Sequence, residues 1–95
     1  MAGRRAQNSC FQRLETGKLK RIGDDIAIYV PSQRAIHVLN QTAFFIWECL
    51  KEPATFDELL FMLGEAFKGE RKIMERDLEE TLDLLLKNGL VQKAE

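Results

Sequence analysis

Two cysteines and one histidine are all that 95 residues offer for gripping a metal. A zinc site closed by four Cys or His ligands within one chain is therefore excluded. Two cysteines are also too few for a disulfide scaffold, so Cys10 and Cys49 are expected as free thiols in a reducing, cytoplasmic setting. No apolar run approaches the roughly 18 residues of a membrane helix. Arg4 and Arg5 are not followed by an apolar stretch, which removes the twin-arginine and secretory readings. Serine occurs only at Ser9 and Ser32. There is no nucleophile elbow, no phosphate-binding glycine loop and no paired-histidine zinc motif. These absences leave no nucleophile–base pair, no cofactor motif and no ligand set, and they point away from an enzyme.

What remains is globular in composition, with 45% hydrophobic and 31% charged residues. The length fits one domain. Charge is nearly balanced at a formal −1, but unevenly placed. Residues 1–21 carry six basic side chains against Glu15 alone, while residues 22–95 carry eight basic and fourteen acidic ones. Residues 1–16 show neither a helical nor a strand period and read as a flexible basic tail, with the folded domain at 17–95.

Alternation of polar and apolar residues begins near Lys18 and predicts a strand to Ile22. Gly23-Asp24-Asp25 is a turn signal. Ile26, Ile28 and Val30 predict a second strand. Pro31-Ser32-Gln33-Arg34 reads as a hairpin loop, and Ala35 to Leu39 as a third strand. The period then changes to helical. Asn40 is a good N-cap, and Ala43, Ile46, Trp47 and Leu50 fall on one stripe. Glu52-Pro53 stops that helix. Thr55 and Glu58 form a capping box for a second helix that buries Leu59, Leu60, Leu63 and Phe67. A third helix, from about Lys72 to Asn88, buries Met74, Leu78, Leu82 and Leu85. Gly89 closes it and Leu90-Val91 returns to the core. The fold class is α+β: a three-stranded antiparallel sheet followed by three helices, winged helix-turn-helix-like.

His37 in the third strand is read as a packed strand histidine rather than a base or a lone ligand. Cys49 is read as a small hydrophobe. The acids Glu75, Asp77, Glu79, Glu80 and Asp83 spread over the polar arc of the third helix and read as a solvated face. That helix bears on the DNA alternative. As a recognition helix it has Arg71, Lys72, Arg76 and Lys87 against those five acids. Phosphate neutralisation supplies most non-specific DNA affinity, so an acidic helix is disfavoured in the groove.

Ile36-His37-Val38-Leu39-Asn40-Gln41-Thr42-Ala43, followed by Ile46-Trp47-Glu48, resembles the "hvLNetA..IWe" signature of the PqqD-like family. Thr55-Phe56-Asp57-Glu58-Leu59 is similar to its "tveEi" helix start. Asp77-Leu78, Leu82, Leu85 and Gly89-Leu90-Val91 follow its closing "DV..fL..L...GLv" pattern. The resemblance covers about residues 18–92. Thr81 departs from it, standing where the family usually has a large apolar residue.

The resemblance implies a non-catalytic peptide-binding module, the recognition element for precursor peptides that are ribosomally made and then modified. A leader peptide is implied to add as a strand to Ala35, Ile36, His37, Val38 and Leu39, in the cleft against the third helix, and to be handed to a maturation enzyme, often of the radical S-adenosylmethionine type. The residues suit this. A strand at a sheet edge exposes N–H and C=O groups that an extended peptide can satisfy. Asp77, Thr81, Leu84 and Asn88 lie to one side of the core stripe of the third helix, with Leu84 as the apolar wall. Phe45, opposite the stripe of the first helix, is expected to be exposed beside Cys49, an apolar spot suited to a partner protein or to a second copy in a homodimer. No cofactor, nucleic acid or membrane partner is implied. Two alternatives stand beside this reading: a winged-helix DNA-binding regulator, and a small structural subunit of a larger enzyme.

Overall fold

The structure is a computed structural model that describes residues 9–14 and 18–94. Along these residues run β1 (Cys10–Arg13), β2 (Leu19–Ile22), β3 (Asp25–Val30), β4 (Ala35–Leu39), α1 (Gln41–Cys49), β5 (Ala54–Thr55), α2 (Phe56–Ala66), α3 (Arg71–Lys87) and β6 (Val91–Ala94). They form an α+β fold with two antiparallel sheets, ordered β2-β3-β4 and β5-β1-β6.

The expected meander is the first sheet. Gly23, at a φ of 61°, makes the tight turn that sets Ile22 opposite Asp25. The loop from Pro31 to Arg34 closes on Val30, whose carbonyl accepts from the Gln33 amide at 3.0 Å. The helices begin where the capping residues placed them. Asn40 Oδ1 accepts from the Ala43 amide at 2.8 Å. The capping box is reciprocal: Glu58 N–H donates to Thr55 Oγ1 at 3.1 Å, and Thr55 N–H to Glu58 Oε1 at 2.9 Å.

The second sheet was not foreseen, and it corrects the reading of residues 1–16 as a tail. Cys10–Arg13 form its central strand, between β5 and β6. Phe11 is buried within the core. Arg13 ties the strand down twice, pairing with Glu48 at 3.0 Å and lying 4.2 Å above the Trp47 ring. Residues 1–8 and 15–16, and with them the proposed 16/17 boundary, lie outside the described residues.

The core joins both sheets to all three helices. Ile28, Ile46, Leu50, Leu59, Leu63, Leu78, Leu85 and Leu90 are its fully buried centre. The Trp47 indole N–H, which needs a partner once buried, donates to the Leu90 carbonyl at 3.1 Å. Met74 and Phe67, expected inside, are only half-buried and flank this core.

Candidate functional site

Among the described residues β4 pairs with β3 alone, which makes it an edge strand. Which of its backbone groups are free follows from one hydrogen bond. The Tyr29 amide donates to the Lys18 carbonyl at 2.9 Å, so Tyr29 turns its backbone groups toward β2. In an antiparallel strand the N–H and C=O of a residue point the same way, and direction alternates along the chain. Ile28 therefore faces β4, and Ala27 faces β2. Opposite Tyr29 and Ala27 stand Ile36 and Val38. Their N–H and C=O groups point out of the sheet, while His37, opposite Ile28, is bonded inside it. None of the usual edge protection is present: the strand has no proline and no lysine.

The side chains alternate too. Ile36 and Val38 lie on the sheet's outer face, 64% and 57% exposed. His37 and Leu39 point to the inner face. His37 Nε2 is 2.7 Å from Gln33 Oε1, and Gln33 Nε2 donates to the Asn88 carbonyl at 2.9 Å. Because the Gln33 amide nitrogen is committed to Asn88, its oxygen accepts, and the pattern assigns the proton to His37 Nε2. This bridge ties the hairpin loop before β4 to the C-terminal end of α3.

α3 turns one flank to each sheet. Leu82, Asp83 and Leu86 share a cavity with Phe11 and Lys93 of the second sheet. Ile73 and Asp77 share another, of about 250 Å³, with Thr42 of α1 and with Leu63, Phe67 and Lys68 at and just after the end of α2. Asn88 meets the hairpin loop through Gln33, and Asp77 shares a cavity with Thr42; Thr81 and Leu84 fall between them on the same side of α3. Leu84 is half-exposed, and Thr81 and Asn88 are partly buried. Gln33 was missed. Nothing in the sequence links it to Asn88, 55 residues away.

The helix end under the bridge is a Schellman motif: Leu90 N–H donates to the Leu85 carbonyl at 2.9 Å, and Gly89 N–H to Leu86 at 3.1 Å. Gly89 has a φ of 75°, and a Cβ there would come within 2.8 Å of Gln33 Nε2. Gly89→Ala is expected to cost about 1–2 kcal/mol from the left-handed backbone alone. It should also push Gln33 off Asn88, visible as a stability loss in urea with a shift of the Gln33 side-chain amide resonances.

The family model for "Coenzyme PQQ synthesis protein D (PqqD)" matches residues 12–91. The chain belongs to the PqqD family. No curated protein matches it. Among solved structures it is similar to a chain described as "TbiB1 in Complex with the TbiA(beta) Leader Peptide", with 20% identity and a TM-score of 0.70. That match covers 85% of this chain and 94% of the other, and it shows a shared fold.

Within this PqqD-family chain, the second expected spot is altered. Phe45 is not exposed. It packs edge-on against Phe67 with ring centroids 5.4 Å apart, and α2's end thereby covers it. Cys49 is half-buried and lines a larger open pocket with Pro53, Phe61 and Met62. Burial pushes its thiol above the ordinary value, and the Glu48 carboxylate adds to this. Both effects favour the protonated thiol. Groups of three or more His, Cys, Asp or Glu able to hold a metal are not found among the described residues. None of the described helices is long and apolar enough to cross a membrane.

Proposed function

We propose that this protein captures the leader segment of a precursor peptide as an added strand on β4, between that edge and α3, and delivers it to a maturation enzyme such as a radical S-adenosylmethionine enzyme. The observation that carries this reading is the outward pair Ile36 and Val38, two residues apart on an unprotected edge. An extended peptide exchanges four backbone hydrogen bonds with them. At about 0.5–1.5 kcal/mol each, these give about 2–6 kcal/mol before the cost of ordering the peptide. Ala35 to Leu39 supply the edge; Asp77, Thr81, Leu84 and Asn88 supply the wall. Membership of the PqqD family and the leader peptide bound to the similar TbiB1 chain both support it. The protein itself does no chemistry in this reading, and its partners are the peptide and the enzyme. The DNA-regulator alternative is not favoured, since Glu75, Asp77, Glu79, Glu80 and Asp83 are carried on the helix that would enter the groove.

The test is a selection of random twelve-residue peptides displayed on their messenger RNA, using the full chain as bait. Selected peptides should shift the amide resonances of residues 35–40 and 77–88 most. Leu84→Asp should keep the fold and lower their affinity at least tenfold, about 1.4 kcal/mol. Shifts centred on α1 around Phe45 would place the site elsewhere.

A further inference from the structure

The β4 flank of α3 has a chemistry of its own. Taking Ile73 as zero and about 100° per residue, Leu84 lies near 20°, Asp77 near 40°, Asn88 near 60° and Thr81 near 80°. The core stripe follows beyond about 100°, and the remaining charged side chains fall outside this arc. Asp77 is the one charged side chain of α3 within this arc, and Glu80 borders it near 340°. Its carboxylate has no hydrogen bond or ion pair among the described residues. Around it, the cavity beside Thr42 is also lined by Lys68, Glu70 and Ile73, the last 46% exposed. Asp77 forms no ion pair with Lys68 or with any other cation among the described residues.

Leu84, half-exposed, is the apolar element further along. Seven residues separate it from Asp77, about 10.5 Å along the helix axis. An added strand advances about 3.3 Å per residue and turns every second side chain toward α3. Side chains on the same side therefore recur every 6.6 Å or so. A spacing of four residues, about 13 Å, meets both points more closely than a spacing of two, and a long flexible side chain absorbs the remainder.

Resting on the peptide-binding reading above, we infer that the cleft selects extended peptides in which an apolar and a basic side chain stand four residues apart, the apolar one on Leu84 and the basic one at Asp77. The outer-face side chains of such a peptide do not meet α3 and are left free to vary.

The selection of random twelve-residue peptides decides this when run in parallel on the full wild-type chain and on Asp77→Lys. Peptides won on the wild type should be enriched in Lys or Arg four residues from an apolar position. Those won on Asp77→Lys should carry Asp or Glu there instead. A wild-type winner should bind Asp77→Asn about fivefold more weakly, with a shallower salt dependence, and Asp77→Lys more than tenfold more weakly. Circular dichroism should show both variants folded, as Asp77 is exposed. Winners that map to residues 35–40 and 77–88 yet lack the basic position, or are unchanged on Asp77→Lys, overturn this inference and leave the peptide-binding reading standing. A selection that returns no peptide mapping to that cleft overturns both.

Discussion

Removing residues 1–13 is expected to unfold the protein. The reason is β1. It is the central strand of its sheet, so its loss strips both β5 and β6 of their only strand partner among the described residues. Phe11, 5% exposed, goes with it. So do the Arg13–Glu48 pair and the guanidinium above Trp47. Burying one phenylalanine side chain contributes about 1.5–3 kcal/mol, and truncating it to alanine costs about 3–5 kcal/mol once the cavity is included. A 95-residue domain has only roughly 5–14 kcal/mol in total. Phe11→Ala alone should therefore bring the protein near its threshold, and the deletion should carry it past. Urea titration followed by circular dichroism and Trp47 fluorescence reads both. A chain lacking residues 1–13 that still melts cooperatively within a few degrees of the intact protein would show that β1 is peripheral.

The reason β1 was not legible beforehand is physical. A strand is recognised by alternation over four to eight residues, and Cys10–Arg13 has one buried apolar position in four. β5 is two residues long, and β6 has only Val91 inside. What holds these pieces is pairing between residues far apart in the chain, Phe11 with Ala54 on one side and with Lys93 on the other. Local pattern carries no trace of that. By contrast, β3 repeats Ile, Ile, Val at every second position, and α2 opens with a complete capping box. Both declare themselves locally and both appear where expected. Phe45 was misjudged for a related reason: its angle on α1 is outward, but Phe67, 22 residues on, folds back to meet it. The edge position of β4 was legible from its place at the end of the meander. The Gln33 bridge to Asn88 and the direction of each backbone group were not, since neither is a local property of the sequence.

That register leads to the sharpest contrast expected in β4. Val38→Pro should keep the fold and lower peptide affinity at least thirtyfold, about 2 kcal/mol, while His37→Pro, one residue earlier, should destabilise the fold itself. Val38 stands opposite Ala27, so its N–H points away from β3 and no ladder bond is lost. Its side chain is 57% exposed, so little core is lost either. Proline is tolerated on edge strands for this reason. A peptide on that edge, however, loses the N–H that one of its carbonyls would use, and the ring stands where its backbone must approach. An unsatisfied group at a desolvated interface costs about 1–3 kcal/mol, and the steric term adds to it. At His37 the same substitution removes an N–H that is bonded to Ile28, a residue with no exposed surface. The Ile28 carbonyl is then left buried without a partner, at about 1–3 kcal/mol of stability. It also cuts the His37–Gln33 link, because the imidazole is gone. Urea midpoints of the two variants, together with titration of a selected peptide, separate the effects. Equal peptide affinity for Val38→Pro and the wild type, with the fold intact, would remove strand addition at β4 as the mode of binding. A loss of fold in Val38→Pro matching that in His37→Pro would mean that the Val38 amide is paired inside the sheet, contrary to the register set by Tyr29 and Lys18.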